Sequence, residues 1–586
     1  MSSLIIVSGV LVSVLIASLL NLLSPAKLFM IGAATLMLSG VLSTQQALGG
    51  FANAGIFTIA ALYVVVAGLR ESGATLLIRR YLVGQPSSPG QLVNRILPVT
   101  SMLSAVVNNT PVVAMFTSLT QSMSKRFNIQ LSHVLLPISY ASILGGLCTL
   151  IGTSTNLVVD DLMRDALGHG FSLFELSWVG VPLTILGLVY LKYATPLLMP
   201  QRHGTREQFE ETREYLVEMQ VAGNSELVGK DLKSAGLRNL PGLFLVEIIR
   251  NEHPITAIDT NTMIEAHDLL VFAGNPDSVF ELQNIHGLSL SNQQRFKLNA
   301  HHTERRLFEV VLSQSNPMVG STLKKSRFRH QYNAVVLSIS RQGQRLSGKP
   351  GELELQAGDT LLIEAQKGFL FRYRYSRDFL LVSKLNNGLQ VDSSKAGVTL
   401  GIFVTMIVAS GSGVLPIFHS ALLAAAAMLV CRCISFEDAG KSIDYQVLIV
   451  IACAFALGQG VQVSGLAETL SGGLLQYATT PLLALVAIYF STQLLTEMIT
   501  NNAAAIIMFP VALSTASSLD TNVAPFAVAV MVAASASFIT PTGYQTNLMV
   551  MGPGGYKYLD YVKLGLPLST LVAIVSLTLI PMVWGF

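Results

Sequence analysis

Two clusters of amide and hydroxyl side chains interrupt apolar stretches of the sequence. Residues 108–110 (Asn-Asn-Thr) are followed by 152–156 (Gly-Thr-Ser-Thr-Asn), and residues 500–502 (Thr-Asn-Asn) are followed by 540–547 at nearly the same distance. An unpaired amide or hydroxyl in hydrocarbon costs several kcal/mol, so such clusters persist where they line a cavity or bind a ligand. Four matched clusters therefore indicate binding sites inside a membrane.

The residue types in these clusters suit a hard monovalent cation and an anion beside it. Sodium prefers oxygen ligands, such as carbonyls exposed where a helix unwinds and amide or hydroxyl side chains. A bound sodium ion would supply positive charge to an anion, and helix N-termini at the same breaks would donate N–H groups. The clusters contain no Arg or Lys, which disfavours a site where a fixed cation binds the substrate.

We predict two sodium shells, and we add one residue about a helical turn before each asparagine pair. The predicted sodium ligands are Ser104, Asn108, Asn109, Gly152, Asn156, Thr496, Asn501, Gly543 and Asn547. The predicted substrate ligands are Asn109, Thr110, Thr153, Ser154, Thr500, Asn501, Asn502, Gln545 and Thr546. The simpler interpretation, hydrogen bonds between helices only, is disfavoured because the clusters occur in matched pairs.

Composition divides the chain into two apolar blocks around a soluble insert. Of the 586 residues, 51% are hydrophobic and 12% are charged, and most charged residues lie between residues 201 and 395. A soluble protein averages about 25% charged residues. The net charge of +3 gives no reason to expect nucleic acid. We predict an α-helical polytopic membrane protein with inverted repeats at residues 1–200 and 396–586, in contact with the lipid bilayer.

Helix-breaking residues predict how the clusters are positioned. Residues 96–122 contain Pro111 directly after a polar cluster, which favours a re-entrant hairpin with its tip there. The second block repeats this pattern around residues 500–502. The stretches 133–162 and 523–550 are each interrupted, so both predict discontinuous helices. Glu71–Leu82 predicts an amphipathic helix at the cytoplasmic interface.

The soluble insert contains its own repeat. Residues 228–232 recur as 319–323, and residues 268–272 recur as 359–363, with the same offset. Short β-rich runs predict that each copy is a small α+β unit. The copies, at residues 205–290 and 298–385, resemble RCK_C (TrkA-C-like) domains. That resemblance implies a pair of regulatory modules with a regulatory ligand that the sequence does not identify.

The membrane blocks resemble the divalent anion/sodium symporter family, the sodium-coupled sulfate and dicarboxylate carriers. Family members carry Ser-Asn-Thr at each hairpin tip, where this chain has Asn-Asn-Thr and Thr-Asn-Asn. Residues 540–547 together with the RCK_C-like insert are similar to sulfate-type members. The resemblance implies a homodimer in the cell (plasma or inner) membrane, elevator-type alternating access, and cytoplasmic RCK_C domains.

We therefore expect a sodium-coupled symporter that imports a divalent oxyanion, with sulfate favoured. Na+ is the expected coupling ion, and no organic cofactor is indicated. A dicarboxylate carrier, a non-transporting anion sensor and an RCK_C-gated channel are the alternatives. Catalytic motifs such as HExxH or a P-loop do not occur, so an enzyme is not expected.

Glu497 is a carboxylate inside an apolar stretch, which makes it a candidate functional residue. A structural or orienting role is favoured, with proton transfer and sodium binding as alternatives. The comparable places in the first block are assigned to Val106 and Val107, so no acidic counterpart is expected there.

Overall fold

The computed structural model describes residues 2–19, 23, 25–74, 89–127, 130–200, 216–232, 234–237, 243–250, 253–255, 262–274, 287–290, 305–342, 344–346, 350–366, 368–373, 376, 378–384 and 395–586. The chain forms two compact units, residues 1–202 with 388–586 and residues 203–387. In the described residues the first unit is helical and the second contains two sheets. Most of the predicted amphipathic helix Glu71–Leu82 lies outside the described residues.

Nine helices are described before the insert. They are α1 (Ser2–Leu19), α2 (Pro25–Leu38), α3 (Thr44–Gly49), α4 (Ala54–Glu71), α5 (Pro89–Ser104), α6 (Asn109–Phe127), α7 (Leu135–Gly146), α8 (Ser154–Leu167) and α9 (Ser177–Leu198). Local sequence explains several boundaries. Asn53 caps α4 by accepting the Gly55 N–H at 2.7 Å, and α8 ends where Gly168 adopts a left-handed conformation with φ +77°.

Two five-stranded sheets make up the described part of the insert. The first contains β1 (Leu216–Val221), β2 (Leu243–Arg250), β3 (His253–Ile255), β4 (Leu269–Gly274) and β5 (Leu288–Leu290). The second contains β6 (Arg305–Leu312), β7 (Ala334–Arg341), β8 (Gln344–Arg345), β9 (Thr360–Gln366) and β10 (Phe379–Lys384), with short helices α10 (Leu323–Ser326), α11 (Phe328–Tyr332) and α12 (Phe369–Tyr373).

The two sheets have the same topology. The first has the order β3-β2-β4-β1-β5 and the second, read from the opposite edge, β8-β7-β9-β6-β10. Corresponding ion pairs also recur. Arg250 Nη2 lies 2.8 Å from Asp268 Oδ2, and Arg341 Nε lies 2.7 Å from Asp359 Oδ1. Both aspartate side chains are fully buried, so each pair fixes one strand to the turn before another.

Ten helices follow the insert. They are α13 (Ala396–Gly411), α14 (Ile417–Val430), α15 (Phe436–Ser442), α16 (Tyr445–Val463), α17 (Leu466–Leu475), α18 (Pro481–Met498), α19 (Asn501–Ser518), α20 (Ala524–Ser535), α21 (Gln545–Gly554) and α22 (Tyr558–Trp584).

Five helical stretches of the described residues are long and apolar enough to cross a bilayer. They are Thr44–Glu71, Ser177–Leu198, Tyr445–Val463, Pro481–Met498 and Tyr558–Trp584. Large apolar side chains such as Leu197, Val430 and Met582 are exposed on the surface. Such an outer face suits contact with lipid rather than water.

The helices around the polar clusters pack in two corresponding sets. Helices α5 and α6 form one hairpin, and α18 and α19 form the other. Within each set the first hairpin arm packs on the first part of a broken helix, α5 on α7 and α18 on α20. The second hairpin arms pack on the second parts of the broken helices in the other half. Helix α6 packs on α21, and α19 packs on α8. Each hairpin therefore contacts both broken helices.

Candidate functional site

The two hairpin tips are held by the same kind of hydrogen bond. In the first hairpin, Ser104 Oγ donates to Asn109 Oδ1 at 2.5 Å, and both residues are buried. In the second, Thr496 Oγ1 lies 3.1 Å from Asn501 Oδ1 and also donates to the Ala534 carbonyl at 2.6 Å. The structure therefore brings each predicted hydroxyl residue onto its predicted asparagine.

The first helix break is braced by Asn156 and Thr149. Asn156 Nδ2 donates to the carbonyls of Gly146 at 3.3 Å and Thr149 at 2.9 Å. The Thr149 hydroxyl accepts the Gly152 N–H at 3.2 Å. These contacts close the non-helical loop on itself, which keeps its carbonyls in fixed positions.

The second break has the same contacts at corresponding residues. Asn547 Nδ2 donates to the carbonyls of Ser537 at 3.0 Å and Thr540 at 3.2 Å. The Thr540 hydroxyl accepts the Gly543 N–H at 3.0 Å. Asn156 and Asn547, both predicted as sodium ligands, thus also shape the loops that would present carbonyl oxygens.

Each hairpin tip hydrogen-bonds to the broken helix of the other half. Thr110 Oγ1 donates to Gln545 Oε1 at 3.4 Å, where α21 begins. Asn502 Oδ1 accepts from Ser154 Oγ at 3.2 Å and Thr155 Oγ1 at 3.1 Å, where α8 begins. All of these groups are neutral, and four of the five residues are among the predicted substrate ligands.

Two residues that the sequence reasoning did not select lie at the centre of this arrangement. Asn109 Nδ2 donates to the Tyr544 hydroxyl at 2.5 Å, and Thr153 Oγ1 lies 3.4 Å from the same oxygen. Ser139 on α7 donates to Thr546 Oγ1 at 2.8 Å, within reach of Asn547. Tyr544 lies within the predicted cluster 540–547, so its position is a usable signal. Ser139 lies in a mainly apolar helix outside the predicted clusters and offers none.

Glu497 connects the second hairpin to the second break. Its carboxylate accepts the backbone N–H of Ile539 at 3.1 Å and of Thr540 at 3.0 Å, and the Thr540 hydroxyl at 2.7 Å. Among the residues that the structure describes, Arg, Lys and His form no ion pair with it. The carboxylate therefore accepts from neutral donors only.

The counterpart of Glu497 in the first half is Ala105, which corrects the assignment to Val106 and Val107. Glu497 directly follows Thr496, as Ala105 directly follows Ser104. The Thr149 hydroxyl donates to the Ala105 carbonyl, as the Thr540 hydroxyl donates to Glu497. The Ala105 carbonyl oxygen in the first half thus corresponds to the Glu497 carboxylate in the second half. The first half therefore has no acidic counterpart of Glu497, and the corresponding residue is Ala105.

Two buried oxygens near the clusters are available to a further partner. Within the described part of the chain, Asn156 Oδ1 and Thr500 Oγ1 have no hydrogen-bond partner. No three His, Cys, Asp or Glu side chains of that part converge as a metal site. Neutral oxygens of this kind fit an alkali cation, while transition metals favour imidazole and thiolate.

Three helix N-termini also face the clusters. Thr153, Thr500 and Tyr544 are the N-cap residues of α8, α19 and α21, and in the described structure none of their side chains caps its own helix. First-turn N–H groups without a side-chain cap can donate to an anion. Asn108 makes no hydrogen bond among the described residues and lines a mainly apolar pocket with Ser154 and Pro111.

Comparison with known proteins identifies the family. Residues 10–533 match CitMHS, the citrate transporter family. A putative sulfur deprivation response regulator of Chlamydomonas reinhardtii is 34% identical over 92% of this chain and 95% of its own length. An uncharacterized transporter of Synechocystis is 30% identical over 94% of this chain and 92% of its own length. Sodium/sulfate cotransporter 1 of Chlamydomonas reinhardtii is 24% identical over 92% of this chain and 84% of its own length.

These matches confirm the prediction of a transporter rather than an enzyme. The family match spans the whole insert and most of both helical blocks, and the apolar helices are those of a multi-pass membrane protein. The chain belongs to the CitMHS citrate transporter family.

Proposed function

We propose that this chain is a sodium-coupled symporter that imports a divalent oxyanion, with sulfate as the favoured substrate. The main support is the reciprocal contact of two hairpin tips with two helix breaks through neutral oxygens and amides. This arrangement offers carbonyl and hydroxyl ligands to cations and N–H donors to an anion in one place.

Charge supports sodium coupling. A divalent anion surrounded by neutral groups and apolar helices is unfavourable unless cations accompany it. The predicted clusters contain no Arg or Lys, and Glu497 adds negative charge beside the second tip. Bound sodium ions at the Asn109 and Asn501 tips would supply the missing positive charge. Relatives named sodium/sulfate cotransporters add weight to sulfate, at 24% identity.

We further propose that the two helical blocks are inverted repeats and that the protein works as a homodimer by elevator-type alternating access. The matched contacts at Asn156 and Asn547 support the repeat. The insert would be two RCK_C-like domains in the cytoplasm that regulate transport on binding a ligand. Its two sheets of identical strand order support a duplicated module.

Uptake by purified protein in liposomes tests the main proposal. Labelled sulfate should accumulate with an inward sodium gradient, and replacement of sodium by potassium or choline should abolish accumulation. Empty liposomes give the background. Equal sulfate uptake in sodium and in choline would refute sodium coupling.

Two other functions have specific support. The family description favours a di- or tricarboxylate substrate at the same site. Competition by thiosulfate, molybdate, succinate and citrate against labelled sulfate separates these classes, because succinate needs donors farther apart than a tetrahedral anion does. The relative named as a sulfur deprivation response regulator favours an anion sensor. Tight sulfate binding without uptake would identify a sensor.

A further inference from the structure

The N-caps of the two site-facing broken helices have the same backbone and different side chains. Thr153 has φ −138° and ψ 145°, and Tyr544 has φ −137° and ψ 136°. Both residues precede the first turn of the helix half that carries the predicted substrate ligands. The two halves therefore aim their side chains from equivalent positions, and only the second half carries a ring.

The ring takes the Tyr544 hydroxyl to the hairpin tip of the first half. The phenol oxygen lies 2.5 Å from Asn109 Nδ2 and 3.4 Å from Thr153 Oγ1. Asn109 Oδ1 is already occupied by the Ser104 hydroxyl. Because the Asn109 amide donates to the phenol oxygen, the phenol hydrogen is left to donate to another acceptor.

The second hairpin tip has no equivalent of this contact in the described structure. Asn501 Oδ1 accepts from Thr496, and Asn502 Oδ1 accepts from Ser154 and Thr155. Thr153 makes no hydrogen bond to Asn501 in the described structure, and a threonine at position 544 would lack the length of the tyrosine ring. The ring therefore connects the start of α21 to the first hairpin tip, and this connection has no counterpart at the second tip among the described residues.

We propose that Tyr544 selects a compact tetrahedral oxyanion over a linear dicarboxylate. This inference rests on the proposed function and adds a selecting residue to its site. The phenol hydroxyl donates to an anion held near Asn109 and Thr153, and the ring occupies the volume that a second carboxylate would need. A polar group placed for one ligand discriminates strongly because it is left unpaired by another.

Two substitutions separate the hydroxyl from the ring. Tyr544→Phe removes the hydroxyl, so the KM for sulfate should rise about tenfold. The variant keeps the ring, so succinate should still inhibit poorly. Tyr544→Thr removes the ring and gives position 544 the residue found at position 153. The ratio of succinate to sulfate inhibition constants should therefore fall about tenfold or more. Sodium activation should change much less than the ratio of inhibition constants, because Tyr544 contacts Asn109 through the amide nitrogen, which cannot ligate a cation, and leaves Asn109 Oδ1 with Ser104.

Labelled sulfate uptake into liposomes by the full-length protein gives these values. Tyr190→Phe is the matched control, because it removes a hydroxyl that bonds the Leu564 carbonyl at 2.9 Å and no residue of the clusters. The control should keep the wild-type ratio of inhibition constants. Folded Tyr544 variants that also keep that ratio would overturn the proposal, and so would a parallel loss of sodium activation.

The selectivity for sulfate over succinate can still be measured if the protein shows no transport. Sulfate-induced and succinate-induced shifts in Tm of the detergent-solubilised protein give the same selectivity ratio without uptake. A wild-type preference for sulfate that Tyr544→Thr removes would support the selecting role even if sodium-coupled import were refuted. A wild-type protein that prefers succinate would overturn it.

Discussion

Asn156 and Asn547 make the same pair of hydrogen bonds in the two helix breaks. Each side-chain amide donates to a carbonyl ten residues earlier and to another seven residues earlier, Gly146 and Thr149 in one case and Ser537 and Thr540 in the other. An asparagine that satisfies two loop carbonyls prevents the unwound segment from exposing them to lipid. The loop geometry is therefore built by each half from its own residues.

Replacing the tip asparagines should disable coupling. Asn109→Ala and Asn501→Ala each remove an amide that orders a hairpin tip, so sulfate uptake should fall more than about tenfold and need higher sodium. Uptake measured against sodium concentration checks this. Thr570→Ala, an exposed residue of α22, is the control and should behave as wild type. Normal uptake by both alanine variants at unchanged sodium concentration would show that the sites are elsewhere.

Gly543 is expected to tolerate no side chain. A Cβ there would overlap Ser537 Oγ and crowd the Thr540 hydroxyl. Gly543→Ala should therefore lower Tm and uptake, and the double variant Gly543→Ala with Ser537→Gly should recover part of both, because the clash is pairwise. Gly401→Ala, which meets open space, is the control. Equal Tm for Gly543→Ala and Gly401→Ala would contradict the packing.

Glu497 should tolerate a neutral isostere better than truncation. Glu497→Ala removes the acceptor of three hydrogen bonds, including those from Ile539 and Thr540, and should destabilise the protein by about 1.5–3 kcal/mol per unpaired buried group. Glu497→Gln keeps an acceptor oxygen, much as the Ala105 carbonyl does in the first half. Thermal unfolding and sodium titration of uptake measure the two effects.

The sodium titration also distinguishes the roles of Glu497. An orienting role leaves the sodium requirement of Glu497→Gln near that of wild type. A large increase in the sodium needed for half-maximal uptake would instead show that the charge itself binds the ion.

Removing the insert should separate regulation from coupling. Deleting residues 205–385 leaves both helical blocks, which form their own compact unit. The deletion should change the rate of uptake or its regulation, and sodium dependence should remain. Initial rates with and without sodium measure both. Loss of sodium dependence in a well-folded deletion variant would contradict the regulatory assignment.

The Arg341–Asp359 pair should be important to the second sheet. Asp359 is fully buried, so Arg341→Met leaves a buried carboxylate without its partner and should cost about 3–5 kcal/mol. Hydrogen exchange of β7 and β9 amides in the full-length protein measures this locally. Lys441→Ala breaks an exposed pair with Glu437 and should leave the stability of the protein nearly unchanged. Similar exchange in both variants would argue against a stabilising role.

The sequence was informative where chemistry is local. Pro111 and the polar clusters predicted helix ends near residues 108 and 500, and α6 and α19 begin at Asn109 and Asn501. The β-rich runs at residues 242–249 and 333–340 lie within one residue of β2 and β7. These features depend on turn chemistry and side-chain alternation, which a single sequence carries.

Contacts between the halves could not be predicted in the same way. The hydrogen bonds between Asn502 and Ser154 and between Thr110 and Gln545 depend on how helices that are distant in the sequence pack together. The role of Tyr544 could not be predicted from the sequence, because it depends on the hydrogen bond between its hydroxyl and Asn109 in the other half. The counterpart of Glu497 is likewise defined by contacts, because the Thr149 and Thr540 hydroxyls pair it with Ala105 and not with Val106 or Val107.

Because each hairpin tip hydrogen-bonds to the broken helix of the other half, neither helical block by itself assembles the proposed site. A polypeptide ending before the insert would fold its own loop yet leave Asn109 and Ser154 without Tyr544 and Asn502. Two separately made blocks would thus be expected to transport nothing singly and to regain transport only as a complex.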